Sequence, residues 1–514
     1  MSDESGKMPS QLLDLLEGRS TPERESLDVH LSQRDGEHLH DKMRQAYWWI
    51  VNNAIITPYY DIEYGERVSL ENTSGDQLVL HDAMSYSSYV LMPMLTLFTC
   101  RRALMVGAPG RGKTTAAVLM GLIAGMSQDQ VRRSIVRGHP QLTVSEMLGS
   151  PLPSDMMTAE DASDIDVAWR AWIEQRVKVI DEYNRIPTKT QSALLSLLAE
   201  GYAEMYDQYV YTGRSSWFLT ANDDAGGGTF KVIDALQDRL DVVVRAVPFN
   251  SHFVEALVER IESDTRPESM VPDDIVFTDE QLDAVYDAIL TVEIPDEALD
   301  RVSYFLGQLD FCRMASTRFE FMSKDTLHLN GQDVATVCTE QCPLDKRQHL
   351  CTQTENGVSA RVYLTCFHYA KALAYFRGHR RVELEDFRQI LPWVLHDKLT
   401  PNKRSRFFEE SEHRALLRDR VAWIRDMFDR AMQQYAGHRA SRQSVLEERA
   451  LLDEGLVGVG PDEARRRMDR IQVRIAKLME AADLSGPIYE QIVQLKAMYS
   501  RYNNYWHWAR SGDE

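Results

Sequence analysis

The chain has 514 residues, of which 44% are hydrophobic and 26% charged, and its formal net charge is -20 at pH 7. This length is too great for one hydrophobic core, so several domains are expected, and the composition is that of a globular protein rather than a disordered or fibrous one. The acidic excess argues against a nucleic-acid duplex as the main partner, because a duplex-binding surface needs a basic excess.

The sequence has no run of about 18 apolar residues, and Met1–Lys7 does not begin a charged-then-apolar signal segment. We therefore expect a cytoplasmic protein without a membrane span. Residues 1–35 are polar and charged, which predicts a mobile N-terminal tail.

A phosphate-binding motif follows an N-terminal extension. Gly107–Thr114 fits the pattern G-x-x-x-x-G-K-[ST], and it lies between an apolar run at 103–106 that predicts a strand and a helical pattern at 115–126. Glycines let successive N–H groups surround phosphate oxygens, and the helix N-terminus adds partial positive charge. The nucleotide-binding residues predicted here are Gly107, Ala108, Pro109, Gly110, Arg111, Gly112, Lys113, Thr114 and Thr115, joined by Asp181.

Further short apolar runs predict the rest of a parallel sheet. Helical stretches separate these runs, which is the pattern of an α/β sheet covered on both faces. We therefore predict an α/β nucleotide-binding domain, with its N-terminal extension, over residues 36–250. The additional strands are predicted at 134–136, 177–180, 217–220 and 242–244.

Two acids end the predicted strand at 177–180. At the carboxyl edge of a parallel sheet, Asp181 would help the Thr114 hydroxyl to hold Mg²⁺, and Glu182 would orient the attacking water. The structural alternative is a strand followed by a solvated acidic turn. The convergence of these acids with Lys113 favours a nucleotide triphosphatase.

Two more polar residues stand beside predicted strands. Asn222 could contact the γ-phosphate or its water, although a turn-forming asparagine is the plain alternative. Arg239 suits a site that neutralises charge on a transferring phosphoryl group, including one on a neighbouring subunit. A surface salt bridge explains that arginine equally well.

The region after residue 250 has helical periodicity. Helices are predicted over 252–310, with an N-cap at Thr278, and over 358–398. From residue 401 to 514, two apolar stripes interrupted near Gly455–Pro461 predict a helical hairpin.

A cysteine-rich insertion occupies residues 311–356. Thiolates there could form a tetrahedral Zn²⁺ site with a structural role, and His349 could replace one of them. An iron–sulfur cluster and unligated thiols are the alternatives. The candidate zinc ligands are Cys312, Cys338, Cys342 and Cys351.

At this point the residues resemble the MoxR branch of the AAA+ ATPases, relatives of the magnesium chelatase ATPase subunit. Ile180–Pro187 and Gln191–Leu195 resemble that family's D-E-x-N-R-x-P…Q-x-A-L-L signature. His139–Gly149 is similar to the segment leading into an insertion in the family's second helix. Gly357–Arg361 resembles the G-x-S-x-R opening of its helical lid.

The resemblance covers about residues 90–400 and implies a P-loop parallel sheet with helices on both faces, followed by an all-α lid over 251–400. The sequence departs from the family pattern in one place: where the family usually has A-T-x-N-P, Thr220–Asp224 reads T-A-N-D-D. It implies ATP and Mg²⁺ as cofactors. The implied roles are Glu182 as the carboxylate that orients the attacking water, Asn222 as first sensor, Arg239 as arginine finger, Arg361 as second sensor and Arg185 as a second candidate for a contact between subunits.

The same resemblance implies a homo-oligomeric ring, usually a hexamer, with a protein client and often a partner that carries a von Willebrand A domain. We therefore predict a ring-forming ATPase that remodels or matures a client protein in a chaperone-like way. The preference for ATP over GTP also rests on this resemblance, since no guanine-reading N-K-x-D motif is present. The alternatives are a nucleotide-gated scaffold with negligible turnover and a motor subunit of a nucleic-acid-processing system.

Overall fold

The computed structural model describes residues 39–55, 59–73, 77–161, 164–222, 236, 238–246, 251–338, 341–480 and 484–511. The predicted tail at 1–35 lies outside these residues. The strands, in chain order, are β1 (Ile62–Glu63), β2 (Arg67–Glu71), β3 (Gln77–His81), β4 (Ser85–Tyr86), β5 (Arg102–Val106), β6 (Ile135–Arg137), β7 (Gly149–Pro151), β8 (Val167–Trp169), β9 (Val177–Asp181), β10 (Tyr202–Met205), β11 (Gln208–Tyr211), β12 (Ser216–Ala221) and β13 (Val242–Arg245).

The α-helices among the described residues carry most of the mass outside the sheets. They are α1 (Leu39–Trp49), α2 (Ser88–Phe98), α3 (Lys113–Ile123), α4 (Gln128–Arg133), α5 (Val144–Leu148), α6 (Pro153–Thr158), α7 (Thr188–Glu200), α8 (Val254–Glu262), α9 (Asp279–Thr291), α10 (Asp296–Asp310), α11 (Lys324–Leu329), α12 (Val334–Val337), α13 (Ala360–Phe376), α14 (Leu384–Leu395), α15 (Arg420–Asp453), α16 (Pro461–Met479) and α17 (Gly486–Ser511).

The central sheet has five parallel strands in the order β13-β5-β12-β9-β6. Strand β12 lies between β5 and β9, although it follows both in the chain. This order brings the carboxyl ends of β5, β9 and β12 side by side, and ligands bind at that edge of open parallel sheets. All of the strands predicted from the sequence are present, and the predicted α/β class is confirmed.

Both faces of the sheet are covered, as continuous apolar strands require. On one face Leu104, Ile180 and Leu219 pack with residues of α5 and α7 in a single core cluster. On the other face α2 packs against β5, β12 and β13, and all of its residues are buried. The apolar residues Tyr89–Leu95 of α2 are therefore part of the core of the nucleotide domain.

The helical lid is joined to the sheet by buried polar contacts. Thr365 on α13 donates to a carboxylate oxygen of Asp241 at 2.6 Å, and the same carboxyl group accepts from the Arg102 backbone N–H at 3.0 Å. Thr96 on α2 and Tyr369 on α13 share a hydrogen bond of 2.7 Å. Since these groups are buried, a lid movement must break or exchange these bonds.

The C-terminal part holds α15, α16 and α17, so it is larger than the predicted two-helix hairpin. The predicted break near Gly455–Pro461 is present between α15 and α16. The third helix, α17, shares one apolar core with both of the others, including Val445, Met468 and Leu495. Sequence periodicity indicated the first two helices, but it showed neither the third helix nor the core that all three share.

Lys178 is a buried charge in the central sheet. It lies on β9 with 0% exposure, and its Nζ donates to the backbone oxygens of Gln175 at 2.5 Å and Thr212 at 3.1 Å. Burial lowers the pKa of this amine to about 7 from the ordinary 10.5. The unfolded chain therefore binds the proton more tightly, and the folded state loses stability as pH falls from 10.5 to about 7.

Lys178→Met is expected to remove this pH dependence. As pH rises from about 7 to 10.5, the parent should gain up to about 4 kcal/mol of unfolding free energy relative to the variant. Melting temperatures of both proteins between about pH 7 and pH 10 measure the effect, with the exposed Lys189→Met as the control. Parallel curves for the parent and Lys178→Met would contradict the buried-amine interpretation.

Candidate nucleotide-binding site

The loop between β5 and α3 borders an open pocket of about 400 Å³ at the carboxyl edge of the sheet. Gly112 is the N-cap of α3 with φ 71°, and Gly110 has φ 76°. A Cβ at either position would meet nothing within 4 Å, so the left-handed backbone and not crowding requires glycine there. The first N–H groups of α3 have no helical acceptor, which makes them donors for an anion.

Lys113 begins α3, and only 7% of it is exposed. Its Nζ donates to the carbonyl oxygens of Gly107 at 2.6 Å and Ala108 at 2.9 Å, and to Oδ1 of Asn222 at 3.0 Å. An ammonium in this position has oxygen partners on both the loop and β12. A triphosphate in the pocket would supply charged oxygens to the same amine.

Thr114, Asp181 and Thr220 form an oxygen cluster beside this lysine. Oδ1 of Asp181 accepts from the hydroxyl of Thr114 at 3.0 Å and from that of Thr220 at 2.5 Å. Hydroxyl and carboxylate oxygens are the ligands that Mg²⁺ prefers, so this donor set fits the ion. Thr114 and Asp181 would hold it, and bound Mg²⁺ neutralises charge on the β- and γ-phosphates.

Glu182 has an unusual backbone conformation for a residue with a side chain. Its angles are φ 54° and ψ 46°, a left-handed conformation that costs about 1 kcal/mol or more outside glycine. Its N–H donates to the hydroxyl of Thr220 at 2.9 Å, and its carboxylate accepts from Asn222 at 2.8 Å and pairs with Arg185 at 3.2 Å. The conformation turns the chain away from β9 directly after Asp181, and it places the carboxylate in the pocket lining.

The arginines predicted for catalysis do not line this pocket. Arg361 forms an ion pair with Asp238, which also accepts from the hydroxyl of Ser359 at 3.1 Å. Arg239 is half-buried next to Asp238. Arg111 does line the pocket, and it donates to the Ala246 carbonyl at 3.1 Å.

The structure therefore brings together the predicted residues from the loop, β9 and β12, but leaves Arg239 and Arg361 outside the group. Two participants were missed by sequence reasoning. Thr220 contacts both Asp181 and Glu182. The sequence contained no sign of this contact, because it depends on the pairing of β12 with β9. Gly138 follows β6, where a Cβ would lie 2.2 Å from the Glu182 carbonyl oxygen, so only glycine permits this approach.

In the described part of the cysteine-rich insertion, no three candidate thiols lie within 4.8 Å of one another, although Cys338 and Cys342 share a hydrogen bond. Cys342 and Cys351 pack against one small core with Phe311, whereas Cys312 and Cys338 belong to a neighbouring one. Four thiolates on one zinc would lie about 3.8 Å from each other. Within the described ranges, ligand atoms of three such residues converge to within 4.8 Å only at His379, Glu383 and Asp386. The zinc prediction is therefore not supported.

The two acids in the group of His379, Glu383 and Asp386 already have partners within the protein. Arg377 pairs with Glu383 at 2.9 Å and with Asp386 at 2.6 Å, and these two acids form the capping box at the start of α14. The carboxylates serve the helix start and the neighbouring guanidinium. Nothing in this arrangement requires a cation.

No helix within the described ranges has the length and apolar content needed to cross a bilayer. The cytoplasmic location stays a prediction of the sequence.

Two family models match the chain. Residues 102–240 match the AAA domain (dynein-related subfamily), and residues 345–419 match the AAA lid domain. The first match contains Lys113, Asp181, Glu182 and Asn222, and the second extends past the predicted lid boundary at 400. Neither match separates the MoxR branch from related families.

A comparison with curated proteins gave no match. Among solved structures, a candidate ATPase from Cytophaga hutchinsonii ATCC 33406 is similar, with a TM-score of 0.46 and 15% identity over 75% of this chain and 94% of that chain.

Proposed function

We propose that this chain, in which residues 102–240 match the AAA domain and residues 345–419 match the AAA lid domain, works as a MoxR-type ring motor that hydrolyses ATP at the boundaries between subunits. Movement of the lid would then remodel or mature a client protein. The family resemblance adds two parts to this proposal. The protein assembles into a hexameric ring, and it works with a partner protein that carries a von Willebrand A domain.

The proposal rests on one observation: most of the predicted site residues line one pocket, but the predicted arginine finger does not. Groups that bind and align a magnesium nucleotide converge in one protomer: Lys113, Thr114, Asp181, Glu182 and Asn222. Arg239 does not line that pocket, and phosphoryl transfer needs positive charge near the developing negative charge. An arginine supplied by a neighbouring subunit would complete the site and make hydrolysis depend on assembly.

The Arg239→Ala protein is expected to bind ATP nearly as the parent does, but its rate of phosphate release should fall by at least about a hundredfold. Mixing two inactive variants then tests whether Arg239 acts in its own subunit or in the neighbouring one. A subunit with Arg239→Ala keeps its own Glu182, and a neighbour with Glu182→Gln keeps its own Arg239. Mixing the two inactive proteins in equal amounts should restore roughly a quarter of parental turnover in a randomly mixed head-to-tail ring.

The same mixture stays inactive if Arg239 serves its own protomer, because then no protomer holds both groups. The exposed Arg381→Ala, mixed with Glu182→Gln, controls for dilution. Normal turnover of Arg239→Ala alone would reject the shared site. Native mass spectrometry of the mixture with ATP would give the number of subunits.

A further inference from the structure

Two hairpin segments of the nucleotide domain form one surface, which we call the acidic hairpin surface and define as residues 149–161, 164–169 and 202–211. The Gln208 side chain joins them: its Nε2 donates to the Ile165 carbonyl at 2.9 Å, and its Oε1 accepts from the Val167 N–H at 3.3 Å. Strands β7 and β8 pair in one segment, and β10 and β11 pair in the other. The two hairpins therefore present a joint face.

This surface exposes large apolar side chains. Met156 is 56% and Met157 88% exposed, and Tyr209 and Tyr211 are 50% and 67% exposed. Large apolar side chains exposed on two joined segments mark an interaction site more often than a single isolated apolar residue does. Methionine adapts to varied apolar partners, and tyrosine adds a rigid face with a polar tip.

All of the ionisable charge in these segments has one sign. The two segments contain seven acids and no lysine, arginine or histidine; the acids are Asp155, Glu160, Asp161, Asp164, Asp166, Glu204 and Asp207. A partner with net negative charge would be repelled, which disfavours nucleic acid and a second copy of this acidic chain.

A groove of about 530 Å³ borders the same surface. Its lining includes the apolar side chains of Val144 and Leu148, together with the carboxylates of Glu200, Glu204 and Asp207. An apolar floor beside carboxylates suits a peptide in which aliphatic and cationic side chains are close neighbours. The long stems of lysine and arginine can cover apolar surface while their charged ends reach acids.

We propose that the acidic hairpin surface binds a basic segment of polypeptide that carries aliphatic side chains among its lysines and arginines. That this segment belongs to the client rests on the proposed function; the binding itself does not. Carboxylates attract and align the chain, and the methionine and tyrosine side chains bury its apolar groups.

The test uses the full chain and a fluorescein-labelled peptide of Lys-Leu-Ser repeats, with fluorescence anisotropy as the readout. A peptide of Glu-Leu-Ser repeats has the same apolar content and the opposite charge. We expect only the basic peptide to bind, and its binding should weaken as salt rises, because exposed charges are screened. Glu204→Gln combined with Asp207→Asn should weaken it by about tenfold.

Two further variants make the test specific. Met157→Ser removes an exposed apolar group without altering charge, and it should also weaken binding of the basic peptide. Glu454→Gln combined with Asp462→Asn removes two exposed acids near the connection between α15 and α16, and it should leave binding unchanged. Equal binding of both peptides, unchanged binding by the Glu204 and Asp207 variant, or displacement by single-stranded DNA would overturn the proposal.

Phosphate release, measured on the same preparations, separates the two proposals. Normal turnover with no bound basic peptide rejects the acidic hairpin surface as a binding site and leaves the motor intact. Peptide binding by a parent that hydrolyses no ATP would reject the motor and leave the surface.

Discussion

Glu182→Gln is expected to keep ATP binding and to lower steady-state phosphate release by at least about a hundredfold. The amide has nearly the same shape as the carboxylate, and its oxygen can still accept from the Asn222 side chain, which is 2.8 Å from Glu182 in the parent. It cannot, however, attract a proton from water as a carboxylate does. Chemistry should therefore fail while binding persists.

Phosphate release and the affinity for a fluorescent ATP analogue test this separation. Glu293→Gln, an acid in the exposed ion pair with Arg381, is the matched control and should behave as the parent does. Turnover of Glu182→Gln near the parental rate would assign the catalytic role to another group. Loss of both binding and turnover would instead indicate that the substitution had disturbed the left-handed turn after β9.

Lys113→Ala is expected to weaken ATP binding by two to three orders of magnitude, because each hydrogen bond between an ammonium and a charged oxygen contributes about 1.5–3 kcal/mol. In the structure the amine has three oxygen partners between 2.6 and 3.0 Å. Replacing it therefore removes the cation from the place where the β- and γ-phosphates are expected.

Because Lys113 is buried, Lys113→Ala also leaves a gap and unpaired carbonyl oxygens. Lys113→Met keeps most of the aliphatic stem, and it should lose ATP affinity to a similar extent with less effect on folding. Circular dichroism and the melting temperature without nucleotide measure folding, and calorimetric titration with ATP measures affinity. Unchanged affinity in a folded Lys113→Met protein would remove the phosphate-loop assignment.

The parts of the site that lie close together in the chain were predictable. The loop Gly107–Thr114 is one strand-turn-helix unit, and its glycines, lysine and threonine act within a few residues of each other. Asp181 and Glu182 directly follow an apolar strand, so strand polarity alone places them at the carboxyl edge of a parallel sheet.

The partners of those residues were less accessible to sequence reasoning. Thr220 contacts Asp181 because β12 lies next to β9, and no local pattern records that order. Asp238 was unnoticed, yet it holds Arg361 at the start of the lid. The zinc prediction rested on cysteine spacing, which counts ligands but says nothing of whether their sulfur atoms converge.

By itself, the sequence determined the phosphate loop, the acidic strand end and the succession of strands and helices, because each depends on residues within one or two turns of chain. Only the tertiary structure decided that Asn222 meets Lys113 and Glu182, that Gln208 joins two acidic hairpins, and that α17 completes a three-helix core. These outcomes depend on strand order and on packing between distant segments, where many alternative pairings have equally good local patterns and burial of the whole core selects among them.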